Sequence, residues 1–219
     1  MTDHSRVIDG LTGPVERVAL QFLAARTPAW ISPDVLTVIG VLGAALTGVG
    51  YCLTNLHTGF LWLASLGLAV NWFGDSLDGT LARYRHIERP RYGFFVDHTA
   101  DAVSLVLIML GFGLSPFVEF EIVLMMCIGY LLLTLIVCIR AFLEGVFQIT
   151  FGKLGPTEAR CVLVLANTGI FFGGNPIVRL PFVTTTLIDL LSVCITTWLF
   201  AAFGVASVQQ AKRLAKDPD

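Results

Sequence analysis

Six long apolar stretches alternate with short polar segments along this chain of 219 residues. The clearest stretch, residues 35–53, runs for 19 residues without a charged side chain. As an α-helix it would be about 28 Å long, which is enough to cross the hydrocarbon core of a bilayer. The second and third stretches reach spanning length only if the aspartate-containing segments beside them continue as helix. The six stretches that we interpret as transmembrane helices are residues 35–53, 60–74, 102–118, 122–139, 161–177 and 190–208.

The composition is typical of an integral membrane protein. Hydrophobic residues make up 55% of the chain and charged residues only 14%, and the mean hydropathy is +0.78. A soluble domain carries about 25% charged residues. The sequence therefore predicts an all-α membrane protein with six transmembrane helices. The net charge of −2 gives no indication of a nucleic-acid partner, and we expect none.

The basic residues predict the orientation in the membrane. If the N-terminus is cytoplasmic, 13 of the 14 Lys and Arg residues fall on the cytoplasmic side, and only Arg179 falls outside. The positive-inside rule therefore favours cytoplasmic N- and C-termini. The same orientation puts a group of four aspartates at the cytoplasmic face.

Residues 13–28 predict an amphipathic helix that lies in the membrane interface rather than across it. Its apolar face would consist of Val15, Val18, Ala19, Phe22 and Leu23, with Glu16, Arg17 and Gln21 off that face. The alternative is an ordinary helix that packs on the bundle. Because no repeat or linker divides the chain, we expect a single membrane domain over residues 1–219, with the six-helix bundle at about 33–208.

The four aspartates occur within 27 residues, at the ends of the second and third apolar stretches. At about 100° per residue, Asp75 and Asp78 share one helix face. That face is completed by Gly79, Ala82 and Arg83. The next helix carries Gly93, Asp97 and Asp101 at intervals of four residues, again on one face. The small residues leave room for a ligand to approach the backbone.

Four carboxylates at a membrane boundary require a counter-charge, because like charges repel and ionisable groups at membrane depth are costly. Mg²⁺ and Mn²⁺ prefer such hard oxygen ligands, and two ions can share bridging carboxylates. A two-metal site suits displacement at phosphorus, and Arg83 could complete a phosphate clamp. The alternative is that the aspartates cap helix ends or pair with nearby arginines.

Taken together, these residues resemble a known family signature. They occur in the order Asp75-x-x-Asp78-Gly79-x-x-Ala82-Arg83, then nine residues, then Gly93-x-x-x-Asp97-x-x-x-Asp101. This order is similar to the signature of the CDP-alcohol phosphotransferases, which commonly has eight residues between the arginine and the second glycine. All eight signature residues are present. Six spans and an N-terminal interfacial helix also fit this family.

The resemblance implies a reaction and a set of roles. A CDP-linked donor would bind with its diphosphate on two Mg²⁺ or Mn²⁺ ions, an acceptor hydroxyl would attack the β-phosphorus, and CMP would leave. The metal ligands would be Asp75, Asp78, Asp97 and Asp101, the last acting also or instead as the general base. Contacts to nucleotide and phosphate would come from Gly79, Ala82, Arg83 and Gly93. The resemblance further implies a homodimer in the lipid bilayer.

One position bears on the identity of the donor. The Asp97-His98 pair resembles the branch of the family that uses CDP-aminoalcohols, in which that histidine has been assigned a base role. That branch also carries an acidic residue where this chain has Phe94. We therefore favour CDP-diacylglycerol as donor, with transfer from a CDP-aminoalcohol to a lipid hydroxyl, and a catalytic His98, as the alternative. His98 also replaces the proline typical of phosphatidylglycerophosphate synthases, which counts against a glycerol-phosphate acceptor.

The segment before the fifth apolar stretch is a candidate acceptor site. Lys153 and Arg160 could hold an anionic alcohol such as a sugar phosphate, and Glu158 could hold a cationic one. Arg140, at the end of the fourth stretch, could join them. The alternative is that Thr157 and Glu158 only stabilise the start of a helix.

Asp34 begins the first apolar stretch on the same side of the membrane. The Pro33-Asp34 pair resembles a stretch that lies near the nucleotide in this family, so Asp34 is a candidate cytidine contact. The alternative is that it merely belongs to a helix start.

Two other classes of protein use acidic groups in membranes. Membrane prenyltransferases also bind a diphosphate with Mg²⁺ and two aspartate-rich motifs, but they have more spans and place the motifs farther apart. A divalent-cation transporter needs acidic groups along a path across the bilayer, whereas these aspartates cluster at one face. Both remain remote alternatives at this point.

Overall fold

A computed structural model of the protein describes residues 13–144, 156–181 and 183–216. These residues form seven α-helices, a single 3₁₀ turn at Thr58–Phe60 and a two-stranded antiparallel sheet. The helices are α1 (Gly13–Arg26), α2 (Pro33–Leu53), α3 (Leu61–Tyr84), α4 (Pro90–Gly113), α5 (Phe120–Glu144), α6 (Pro156–Gly173) and α7 (Leu187–Leu214). The strands are β1 (Ile177–Arg179) and β2 (Thr184–Thr186). The predicted all-α class is confirmed.

Each of the six predicted apolar stretches lies mainly in one of the helices α2 to α7. Within the described residues, four of these helices are long and apolar enough to cross a membrane, namely α2, α4, α5 and α7. The second half of α3 contains two aspartates and an arginine, and α6 has only 18 residues and a polar first turn. The chain therefore has the apolar helices of an integral membrane protein, as predicted.

Local sequence signals set the starts of two of these helices. Before α2, the Ser32 hydroxyl accepts a hydrogen bond from the Val35 N–H at 3.3 Å, and Pro33 occupies the first turn, where its missing N–H costs nothing. Before α7, the Thr186 hydroxyl accepts from the Asp189 N–H at 3.2 Å and donates to the Asp189 carboxylate at 2.7 Å. Asp189 therefore serves the start of α7.

Glycines let α2 approach its neighbours backbone to backbone. A Cβ on Gly43 would overlap the backbone of Asn71 on α3, and a Cβ on Gly74 would overlap the backbone of Gly40 on α2. A Cβ on Gly48 would overlap α4 in the same way. We call Gly43, Gly48 and Gly74 the packing glycines. Small residues at such contacts are a common means of helix association in membranes, and here they hold together the helices that carry the aspartates.

A buried polar network joins three helices farther along the bundle. The Tyr51 hydroxyl on α2 donates to the Asn167 side-chain carbonyl on α6 at 3.0 Å. The Asn167 amide donates in turn to the Ser65 hydroxyl on α3 at 3.0 Å. All three side chains are buried, and because each group has a partner, the network stabilises one arrangement of α2, α3 and α6.

Helix α1 packs against α3, and its apolar side chains point in two directions. Leu20 and Ala24 are buried against the bundle, whereas Val18 and Phe22 are 69% and 54% exposed. The predicted apolar face of α1 therefore does not lie wholly against the bundle. Val18 and Phe22 of that face are on the outside, whereas Leu20 and Ala24, which the pattern did not assign to it, contact the bundle. Glu16, expected off the apolar face, also turns towards the bundle.

Candidate active site

Three aspartate carboxylates from two helices converge where α3 and α4 approach each other. Asp75 on α3 and Asp97 and Asp101 on α4 each offer an oxygen, and these oxygens lie within 4.8 Å of one another. A small cavity of about 10 Å³, lined in part by Asp75, Asp101 and Thr37, lies beside them. This volume is about the size of one water molecule. A ring of hard oxygen ligands at this spacing fits a divalent cation. We call Asp75, Asp97 and Asp101 the aspartate cluster.

The fourth predicted ligand, Asp78, lies beside this cluster rather than within it. Its carboxylate accepts a hydrogen bond of 2.6 Å from the Thr37 hydroxyl on α2. The negative charges of Asp75 and Asp97 still act on Asp78. The structure thus groups three of the four aspartates and orients the fourth through α2.

Arg160 on α6 contacts the cluster directly. Its Nη2 donates to the Asp75 carboxylate at 2.6 Å, and its Nε donates to the Asn71 side chain at 2.8 Å. The Asn71 amide donates to the Gly40 carbonyl at 2.9 Å, which connects the arginine to α2. Arg160 Nη1 is buried and has no hydrogen-bond partner among the described residues. Sequence reasoning missed Asn71, although a buried polar residue one turn before Asp75 was an available signal.

Glu16 on α1 is a second residue that sequence reasoning missed. One of its carboxylate oxygens accepts hydrogen bonds from Trp72 Nε1 at 2.7 Å, from the Ser76 hydroxyl at 3.1 Å and from the Thr157 hydroxyl at 2.9 Å. Trp72 and Ser76 belong to α3 and flank Asp75, whereas Thr157 belongs to α6. Glu16 therefore joins α1, α3 and α6 next to the aspartate cluster.

The signature glycines differ from the packing glycines in their surroundings. A Cβ on Gly93 would meet nothing within 4 Å, and a Cβ on Gly79 would lie 3.4 Å from the Arg83 guanidinium at its nearest. Arg83 donates to the Thr80 hydroxyl at 3.3 Å, and Ala82 is half-buried between these positions. The space above Gly93 is open and Gly79 has only the Arg83 side chain at ordinary contact distance, so contacts within the described chain do not require glycine at either position.

His98 borders the cluster but is oriented by its own helix. Its Nδ1–H donates to the Phe94 carbonyl at 2.9 Å, and its ring stacks on the Phe94 ring at a centroid distance of 4.3 Å. The same nitrogen lies 3.7 Å from an Asp97 carboxylate oxygen. His98 is close enough to influence Asp97, and its catalytic role stays a prediction.

Asp34 forms an exposed ion pair with Arg89. Both Asp34 carboxylate oxygens accept from Arg89 Nη2 at 2.8 Å, which ties the start of α2 to the start of α4. This hydrogen bonding raises the pKa of Arg89 above its usual value. The geometry matches the simpler interpretation of Asp34, as part of a helix start, and its contact with a nucleotide stays a prediction.

The predicted acceptor residues are distributed over three places. Arg160 lies at the aspartate cluster, and Glu158 is buried in the first turn of α6. Arg140 on α5 donates instead to the Ala206 carbonyl on α7, at 2.6 Å. Lys153 lies outside the described residues.

Apolar helices of spanning length, together with carboxylates arranged for a divalent cation, define a helical membrane protein with a candidate metal site. The family model of the CDP-alcohol phosphatidyltransferases matches residues 30–198 of the chain. The chain belongs to this family. The predicted family and enzyme class are confirmed, and neither of the two remote alternatives is favoured.

Three relatives illustrate the range of this similarity. An archaetidylinositol phosphate synthase of Pyrococcus horikoshii is 29% identical over 163 residues, which cover 74% of this chain and 81% of that protein. A cholinephosphotransferase 1 of Xenopus laevis is 32% identical over 107 residues, 46% of this chain but only 26% of that protein. A phosphatidylinositol phosphate synthase of Cutibacterium acnes is 36% identical over 88 residues, 39% of each chain.

Proposed function

We propose that this protein transfers a substituted phosphate group from a CDP-linked donor to the hydroxyl of an alcohol, with release of CMP and formation of a phospholipid. The observation that carries this proposal is the aspartate cluster, which combines the family signature with carboxylate oxygens within 4.8 Å of one another. Membership of the CDP-alcohol phosphatidyltransferase family supports the same reaction.

The carboxylates would hold two Mg²⁺ or Mn²⁺ ions. Asp75, Asp97 and Asp101 would hold them, and Asp78, held in place by Thr37, would complete the set. Bound metal would supply positive charge for the donor diphosphate and for the leaving CMP. The pairing of Arg160 with Asp75 supports the view that this site favours cations.

The chain's own groups would divide the remaining work. Asp101 would accept the proton of the acceptor hydroxyl as the new bond to the β-phosphorus forms and the bond between that phosphorus and CMP breaks. Arg83 would bind a phosphate oxygen of the donor. Gly79 and Gly93 would let the nucleotide lie against the backbone, which is supported by the open space above Gly93 and by the absence of backbone contacts above Gly79, where only the Arg83 side chain lies within 4 Å among the described residues.

We favour CDP-diacylglycerol as the donor and an anionic alcohol such as a sugar phosphate as the acceptor. Arg160 supports this choice, because it brings to the aspartate cluster a guanidinium of which one buried nitrogen has no hydrogen-bond partner among the residues that the structure describes. Two relatives named as synthases of inositol phosphate lipids point the same way.

The alternative is a CDP-aminoalcohol donor with a lipid hydroxyl as acceptor. The cholinephosphotransferase relative and the position of His98 next to Asp97 favour it. In that case His98, rather than Asp101 alone, would take part in proton transfer.

The proposed arrangement in the membrane is a single domain over residues 1–219 with six spans, α2 to α7. Both termini and the aspartate cluster would face the cytoplasm, since 13 of 14 basic residues then lie on that side. Helix α1 would lie in the interface with Val18 and Phe22 in the lipid. A homodimer is proposed from the family resemblance.

The test is CMP release by purified protein in lipid, with CDP-diacylglycerol, CDP-choline and CDP-ethanolamine compared across a panel of acceptors. We expect Mg²⁺-dependent release from CDP-diacylglycerol that is stimulated by a phosphorylated alcohol and absent in Asp101→Asn. Release from an aminoalcohol donor alone would select the alternative. If folded protein released no CMP from any donor, the transferase proposal would be wrong.

A further inference from the structure

A groove between α5 and α7 lies outside the aspartate cluster. It has a volume of about 390 Å³ and is lined by Arg140, Trp198, Ala202, Val205, Ala206 and Gln209. Both helices are long and apolar enough to span a membrane, and Trp198 and Val205 are more than half exposed. In the proposed membrane arrangement, in which α5 and α7 are spans, the groove opens on a surface that faces lipid rather than water.

Arg140 places a positive charge in this groove. Its Nη2 donates to the Ala206 carbonyl across the groove at 2.6 Å, and its Nε is buried without a hydrogen-bond partner among the described residues. No carboxylate among the side chains that the structure describes forms a salt bridge with Arg140. A guanidinium in a low-dielectric site is costly unless an opposite charge compensates it. The groove is thus suited to a ligand that brings a negative charge.

The remaining lining divides into a polar end and an apolar end. Along α7, Gln209 is followed three residues later by the exposed Lys212, which continues the same helix face towards the C-terminal end. In the other direction, Ala202 and Val205 lead to Trp198 and leave a shallow apolar channel between the helices. A charged head and an apolar tail are the two parts of a phospholipid.

We propose that this groove binds one anionic phospholipid from the surrounding membrane. Its phosphate would accept a hydrogen bond from the Arg140 guanidinium, and its polar head group would lie near Gln209 and Lys212. One acyl chain would run along Ala202 and Val205. The site is separate from the transfer reaction, because none of the aspartates lines it, and it does not depend on the identity of the donor.

The test is native mass spectrometry of detergent-purified full-length protein after incubation with phosphatidylglycerol or phosphatidylcholine. Each nearby basic residue contributes about 1 kcal/mol to binding of an anionic lipid, which is roughly fivefold. We expect wild-type protein to retain one phosphatidylglycerol at least about fivefold better than phosphatidylcholine. Arg140→Gln should lower retention by about tenfold, because a charge-assisted hydrogen bond is lost.

Two further variants keep the test informative if Arg140→Gln fails to fold. Val205→Trp fills the channel without removing a charge, and it should also abolish retention. Arg179→Gln lies in β1, before the start of α7, and serves as the matched control, because it removes an exposed positive charge away from the groove. Thermal unfolding in detergent checks that each variant is folded.

Several outcomes would overturn the proposal. Equal retention of both lipids, or retention unchanged in Val205→Trp, would show that the groove is not the lipid site. A complete absence of retained lipid would show that the groove does not bind a phospholipid. If Arg140→Gln retained lipid but raised the KM for the acceptor in CMP release, Arg140 would belong to the acceptor site instead.

Discussion

Glycines five residues apart on α3 have opposite surroundings. Gly74 lies against the backbone of Gly40 so closely that a Cβ would overlap it, whereas a Cβ on Gly79 would meet only the Arg83 guanidinium among the described residues, at 3.4 Å. On α4, Gly93 likewise has nothing within 4 Å of an added Cβ. One group of glycines allows helices to meet, and the other leaves room for a ligand. The comparison indicates that stability and binding depend on different turns of the same helices.

The aspartate cluster lies within these tightly packed helices, near the middle of α3 and α4. Because α2 contacts α3 and α4 through glycines, the segments that carry Asp75 and Asp101 cannot easily separate. Carboxylates held at such short range repel one another, so the cluster destabilises the fold. The close helix packing at the packing glycines has to offset this destabilisation. Substitutions in the aspartate cluster should therefore change mainly activity, and substitutions at the packing glycines should change mainly stability.

The largest effect is expected from Asp101→Asn. A positioned general base contributes about 10²–10⁴-fold, so CMP release should fall at least about 100-fold. The free energy of unfolding should stay the same or rise, because one negative charge leaves the cluster. The measurements are CMP release and thermal unfolding of the same preparation. A variant that is inactive because it is unfolded would break the proposed separation of the two regions.

A large loss of stability is expected from Gly74→Ala. The new methyl group would overlap the α2 backbone, and overpacking of this kind costs about 1–3 kcal/mol or more. Gly169→Ala on α6 is the matched control, since its Cβ would meet nothing within 4 Å, and it should be neutral or slightly stabilising. Thermal unfolding in detergent compares the two. Equal unfolding temperatures would contradict the close packing of α2 on α3.

Gly93→Ala should have the opposite effect to Gly74→Ala, leaving stability intact and weakening donor binding. The helix should be as stable as before or slightly more so, since alanine is favoured over glycine by about 0.5–1 kcal/mol within a helix. The KM for the CDP-linked donor should rise about tenfold if a methyl group displaces one hydrogen-bonded contact. Steady-state CMP release at varied donor concentration measures this. An unchanged KM would show that the open space above Gly93 is not used by the donor.

A smaller effect is expected at Glu16, which joins α1 to α3 and α6 next to the aspartate cluster. Glu16→Ala removes three hydrogen bonds and should lower the free energy of unfolding by about 1–3 kcal/mol. It should also lower kcat, with a smaller change in the KM for the donor, because Ser76 and Trp72 flank Asp75. Glu16→Gln retains an accepting oxygen and should recover most of both. If Glu16→Gln behaved like Glu16→Ala, the negative charge rather than hydrogen bonding would be responsible.

Much of this protein follows from local sequence pattern. Apolar stretches of spanning length predicted the helices, and intervals of three and four residues put the aspartates on shared faces, because helix geometry is repetitive. The partners of the cluster did not follow in the same way. Arg160 lies 85 residues from Asp75 in sequence, and Glu16 lies 141 residues from Thr157. Lys153 and Arg140 carried the same kind of charge, and nothing local distinguished Arg160 from them.

The sequence by itself therefore determined the helices, the family and the identity of the aspartates, since each depends on residues within a few turns of one another. Only the tertiary structure decided which distant side chains reach them. It directed Asp78 towards Thr37, brought Arg160 to Asp75 and Asn71, and turned Glu16 inward from α1. The physical reason is that these contacts depend on how closely and at what rotation separate helices pack, which no periodicity along one helix specifies.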